Sequence, residues 1–205
     1  MNILVVIVFA ITLIYLSMTE RFPIYTGLIG FQGILLFVLS FLELNAITLA
    51  TLLFVAIETL VFKVIVVPYL LYRIIDKSGE TRVHDKALPG FYSLLFVTVG
   101  LLLSIVISFS MNTTPRNMIY FIVAFFALYT GLFMIISHKK IFSHLVGFLV
   151  IENAVLLLSL AIGSEMPMLI NIGILLDIFV SVLILGIFVM RLKQHAHELT
   201  MLKDE

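Results

Sequence analysis

The sequence predicts an all-α polytopic membrane protein with seven transmembrane helices. Three observations carry that prediction. Hydrophobic residues make up 62% of the 205 positions and charged residues only 12%, and the mean hydropathy is +1.25, far from the composition of a soluble domain. The apolar residues gather into seven stretches, each near or above the roughly 20 residues a helix needs to cross the hydrocarbon. Basic residues collect at alternate ends of those stretches. Lipid offers no water to backbone N–H and C=O groups, so such stretches must be helical.

The first stretch, 2–18, lies in "MNILVVIVFAITLIYLSMTERF", which lacks a positive leader and a small-residue cleavage site and is therefore read as a retained helix. After "TERF" comes 23–43, and after "LELN" comes 47–75. Pro68 lies inside the third stretch, where it removes a backbone donor, frees the carbonyl of Val64 and predicts a kink. Residues 76–90, "DKSGETRVHDKALPG", have the composition of an aqueous excursion. The remaining helices are expected at 91–111, at 117–137 after "NTTPR", at 141–163 after "SHKK" and at 167–192 after "GSEMP".

Orientation follows from lysine and arginine. With the N-terminus outside, the inner loops hold Arg21, Arg73, Lys77, Arg82, Lys86, Lys139, Lys140, Arg191, Lys193 and Lys203, while the outer loops hold only Arg116. Ten against one predicts N-out and C-in; the location expected is the inner, cytoplasmic cell membrane, as a multi-pass protein. A shift of 117 lays "IYTGLIGF" at 24–31 on "IFSHLVGF" at 141–148, and slightly larger shifts lay Glu58 on Asp177 and Arg73 on Arg191. The organisation expected is a first three-helix repeat at 1–75, a polar inner loop and linking helix at 76–116, a second three-helix repeat at 117–192, and an inner tail at 193–205. The copies begin four spans apart, so the repeat is parallel.

Several function classes drop out. Balanced charge, 12 basic against 12 acidic residues, gives no footprint for nucleic acid. The absence of cysteine excludes disulfides, thiolate metal sites and cysteine-held iron–sulfur clusters, so any redox centre sits on another chain. Phosphate-binding loops and nucleophile elbows are missing. His195 and His197 form an H-x-H in the tail, a weak metal signal without a third ligand. No catalytic residue, metal or cofactor is assigned.

What remains is a set of ionisable groups inside predicted spans: Glu58 and Lys63 in the third, Glu152 in the sixth and Asp177 in the seventh. Glu58 lies eleven residues beyond Ile47 and Glu152 eleven beyond Ile141, about 16 Å into each span and close to its middle. Each such group costs roughly 2.5 to 3.5 kcal/mol to insert, so each needs a partner, water or a neutral form. They serve either as structural glue between helices or subunits, or as proton stations. Glu152, followed by Asn153, is the principal candidate relay acid, with Asp177 and Glu58 as secondary stations and Lys63 as the charge that sets their proton affinity. On an α-helix Glu58 and Lys63 are turned about 140° apart, so each is expected to face different neighbours. Supporting polar residues are Asn153, Gln32, Pro68 and His144, the last a possible proton entry near the inner end of its helix.

The segments "FKVIVVPYLLYRI", "HDKALPGF", "HKKIFSHLVGFLVIENAVLLL" and "INIGILLDIFVSVLIL" resemble component E of hydrogenase-4 and related formate hydrogenlyases, membrane subunits of group 4 nickel–iron hydrogenase complexes. That family in turn is similar to the three-helix K-type subunit of respiratory complex I, which fits the internal repeat. The resemblance runs from the second helix onward and is carried most specifically by Lys63 with Pro68, Glu152 with Asn153, and Asp177. It does not extend to Glu58, and Gln32 stands on the helix where the first repeat would need a second acid. The resemblance implies a non-catalytic subunit beside antiporter-like chains and a hydrogenase-type peripheral arm. Its buried charges would contribute to proton or sodium translocation coupled to electron transfer. The alternatives are a structural scaffold docking antiporter-like chains, or a stand-alone small transporter.

Overall fold

The computed structural model describes residues 2–43, 57–78, 90–111, 114–138 and 141–162. Among them every regular element is helical: α1 (Asn2–Met18), α2 (Phe22–Glu43), a π-helical segment (Ile57–Val66) running directly into α3 (Val67–Ser78), α4 (Gly90–Ser110), α5 (Pro115–Ser137) and α6 (Ile141–Ile162). Four of these helices carry windows long and apolar enough to cross a membrane: Phe22–Leu42, Phe91–Ser110, Asn117–Ser137 and Phe142–Ile162. The helix expected at 167–192 and the tail, with Asp177, His195 and His197, lie outside the described residues, as does most of the 76–90 loop.

Local chemistry sets the visible boundaries. Thr114 caps α5, its hydroxyl accepting from the backbone N–H of Asn117 at 3.4 Å, and Pro115 follows at the first helical position, where its missing donor is harmless. The short 19–21 link turns α1 back into α2, held by the N–H of Thr19 on the carbonyl of Tyr15 and that of Tyr25 on the carbonyl of Arg21. The third stretch departs from expectation. Its first described part is wound with i→i+5 hydrogen bonds, so the α-helical angle between Glu58 and Lys63 does not apply there. The π segment gives way to α-helix at Val67, one residue before Pro68, which has no N–H to give to the carbonyls of the preceding turn. The side chain of Glu58 lies outside the described part.

α2 is the hub of the bundle, packed on α1, on α6, on the π segment and on α3. α5 and α6 make the most extensive pairing, α1 packs on α5 as well as α2, and α4 covers α1 and α5. On α1 the buried stripe is Val5, Val6, Phe9, Leu13 and Leu16 with Thr12 among them, while Leu4, Ile7 and Ile11 on the other face are exposed and equally apolar. A helix apolar all round is what a lipid-facing helix of a membrane bundle requires.

The α5–α6 contact depends on a reciprocal pair of glycines. A Cβ at Gly131 would lie 2.7 Å from the carbonyl oxygen of Gly147, and one at Gly147 would lie 2.8 Å from that of Gly131. Backbone cannot retreat as a flexible side chain can, and small residues are what let membrane helices approach this closely. Gly131→Ala should therefore destabilise the chain by about 1–3 kcal/mol, read as a lowered unfolding midpoint in lipid nanodiscs. An unchanged midpoint would mean that α5 and α6 are not so closely apposed.

Candidate functional site

Four helical segments deliver polar side chains to one buried locus. Glu152 and Asn153 come from α6, Lys63 from the π segment, Gln32 from α2 and Thr12 from α1; none is more than 6% exposed. Lys63 can reach α6 because the π segment lies hard against α2 at Gly33. A Cβ there would stand 3.0 Å from the Cβ of Lys63 and 3.1 Å from its carbonyl carbon. One turn away Gly30 makes similar room, with its Cβ position 3.1 Å from the ring of Pro68. Pro68 thus belongs to the packing that seats Lys63.

The connections form a line. Lys63 Nζ lies 3.5 Å from Glu152 Oε1 and donates to Asn153 Oδ1 at 3.2 Å. Asn153 Nδ2 donates to Gln32 Oε1 at 3.1 Å, Gln32 Nε2 donates to Thr12 Oγ1 at 2.9 Å, and the Thr12 hydroxyl donates to the carbonyl of Phe9 at 2.6 Å. An ammonium is a donor only, so Asn153 must present its oxygen to Lys63. Its nitrogen then turns to Gln32, and the same logic orients Gln32 toward Thr12. All donors run one way, from the cation to a backbone carbonyl, and such chains polarise one another.

The two ends of this line have different chemistry. Carboxamides do not take up protons at ordinary pH, so Asn153 and Gln32 hold Lys63 in place and complete its coordination. Lys63 and Glu152 are the titratable members, and between them a proton has somewhere to go. Transfer from the ammonium to the carboxylate leaves an amine and a carboxylic acid, removing two charges from the low-dielectric interior at once. Taking both ions out of water is costly, and close pairing with extra hydrogen bonds is what offsets that cost. Gln32→Leu should cost about 1–3 kcal/mol by stranding the buried Asn153 Nδ2. The check is the unfolding midpoint of the full chain, and a variant as stable as the wild type would show that the line is not formed.

Among the residues expected at the site, Lys63, Glu152, Asn153 and Gln32 come together and Pro68 supports them. His144 does not join them. It is half-buried near the start of α6, and its Nε2 donates to the carbonyl of His138 at 2.5 Å. Thr12 is a member that sequence reasoning passed over, although a threonine inside the buried stripe of α1 was a usable signal. Tyr25 is fully buried, whereas Tyr15 and Tyr72 are half-exposed. His138 is also buried, at 3% exposure. Among the described residues no group of three or more histidines and acids could hold a metal ion.

No family model matches the chain, and no solved structure matches it. Among curated proteins the chain is similar to the uncharacterized protein Rv0085 of Mycobacterium tuberculosis, 25% identical over 143 residues that make up 68% of this chain. The chain thereby spans 65% of that relative, slightly less than two thirds of its length.

Proposed function

We propose that this chain is a non-catalytic membrane subunit of a multi-subunit, redox-driven complex of the group 4 hydrogenase type, in which the Lys63–Glu152 pair is a station for proton translocation coupled to electron transfer. The observation that carries the reading is the pair itself: two ionisable groups 3.5 Å apart, on different helices, at one end of a buried polar line. An intramembrane ionisable residue is by default a functional group, and its partner is now named. Charge arriving on an adjacent subunit would bias the proton between amine and carboxylate, which is the form energetic coupling between distant sites takes.

In this reading the described helices and the apolar stretch 167–192 make seven spans, N-out and C-in, in the inner cell membrane. Asp177 and Glu58 are further stations and sodium is the alternative ion. α1 packs on α5 and α2 on α6, so the helices equated by the proposed repeat are also neighbours, which supports a duplication about a common axis. Partners would be antiporter-like chains and an electron-transfer arm. Gentle affinity purification of the full chain from its native membrane should bring down such chains; recovery of the chain alone would contradict the assembly.

A second reading is favoured by a specific observation. Lys63 has both a carboxylate and an amide oxygen within reach, a degree of satisfaction that glue between helices also requires. Under that reading the chain is a structural scaffold, and neutralising Glu152 weakens assembly without a separate defect in ion movement.

A further inference from the structure

We infer that His138 is a second proton-binding site, at the end of the bundle where α1 turns into α2 and α5 into α6, and that Tyr25 completes the hydrogen bonding of its protonated form. The site goes beyond the midplane pair, and the argument for it does not depend on that pair.

His138 closes α5 as its C-cap, in an extended conformation that turns its side chain back onto the bundle. Its Nδ1 lies 3.0 Å from the carbonyl oxygen of Met134 and 2.9 Å from Ser137 Oγ. A carbonyl only accepts, so Nδ1 carries the ring hydrogen in the neutral state, and Nε2 is the atom that gains or loses a proton. Nε2 faces Tyr25 Oη at 3.5 Å. The Tyr25 hydroxyl already donates to the carbonyl of Thr19 at 2.9 Å, so what Oη offers His138 is a lone pair. A neutral imidazole would turn its own lone pair toward it. An imidazolium donates from both nitrogens, Nδ1–H to Met134 and Nε2–H to Tyr25, and the phenol becomes a relay between His138 and the backbone of Thr19.

Among the described residues, each neighbouring element brings its own charged or titratable groups. α2 contributes Tyr25, and α6 contributes His144, which donates to the His138 carbonyl rather than to the ring. The 19–21 link contributes Glu20 and Arg21, both exposed, and Glu20 is near enough to act electrostatically on Tyr25. Lys139 and Lys140 adjoin His138 in sequence and lie outside the described residues. An exposed carboxylate beside the phenol supports a cation at His138 and offers solvent protons a nearby acceptor.

Tyr25 and Gln32 are seven residues apart on α2, two turns and about 10.5 Å along one face. The His138 site therefore stands in series with the midplane line. That series arrangement rests on the proposed function; the site itself does not.

The test uses the full chain in lipid nanodiscs with ¹⁵N-labelled histidine, the His138 signals being identified by their loss in His138→Gln. Tyr25→Phe removes only the phenol oxygen and should weaken proton binding at His138 about tenfold, a shift of roughly one pH unit in its titration. In the unaltered chain the ¹³Cζ signal of Tyr25 should titrate at the same midpoint as His138, so the result stands even where the variant does not fold. An unmoved midpoint in Tyr25→Phe, or a Tyr25 signal indifferent to the His138 titration, overturns the site. Neither measurement requires turnover, so the midplane reading can fail while this one holds, and the reverse.

Discussion

Lys63→Met should be the most destabilising single change in the described part of the chain, lowering stability by about 3–5 kcal/mol. Methionine keeps the volume and reach of the side chain, so the loss is electrostatic rather than steric. Glu152 loses its cation at 3.5 Å and Asn153 loses the donor to its Oδ1, and both groups stay buried. The double change Lys63→Met with Glu152→Leu should recover most of the loss, because replacing a whole buried pair by apolar groups of similar size is often neutral. Thermal unfolding of the three variants in nanodiscs makes the comparison. If the double variant loses as much as the two single changes added together, Lys63 and Glu152 do not act on each other.

Under the proposed function, Glu152→Gln should have the largest effect, lowering ion movement per electron by at least about tenfold in the assembled complex. Glutamine is nearly the same shape, and its amide oxygen can still face Lys63, so the helices lose little of their packing. What it cannot do is take a proton and give it back. Proteoliposomes report the ion movement, and a native gel of the same preparation reports whether the subunit is still in place. Subunit loss with normal coupling in the remaining complexes would favour the scaffold.

Much of the architecture was legible because each cause is local. Composition and stretch length placed α1, α2, α4, α5 and α6 within a residue or two of where they lie; α5 starts at Pro115, inside the "NTTPR" that reads as a separator, because Thr114 caps it there. The third stretch was legible as a helix but not in kind. A π-helical ladder changes which residues share a face, and nothing in "IETLVFKVIV" announces it; the observable counterpart is Gly33 on another helix, which lets the segment press against α2.

At the site, the cost of burying charge singled out Lys63 and Glu152, and the polar neighbours Asn153 and Gln32 were noticed for the same reason. That Asn153 touches both Lys63 and Gln32 was not legible, since it depends on how α2, α6 and the π segment pack together. Thr12 went unnoticed because a threonine costs little in an apolar helix, and its importance comes from accepting from Gln32 and donating on to the Phe9 carbonyl. His138 was hidden differently. It lies in "SHKK", which reads only as a separator between two spans, and the fold shows His138 drawn back onto Met134 and Tyr25.

The central claim is that Glu152 changes its protonation state during turnover. Infrared difference spectroscopy of the assembled complex, comparing resting and reduced states, reads this directly as a band in the protonated-carboxyl region. The account predicts a carboxyl band that appears on reduction in the unaltered complex and is absent in Glu152→Gln. A spectrum without such a band, or one in which the band persists in Glu152→Gln, would contradict it.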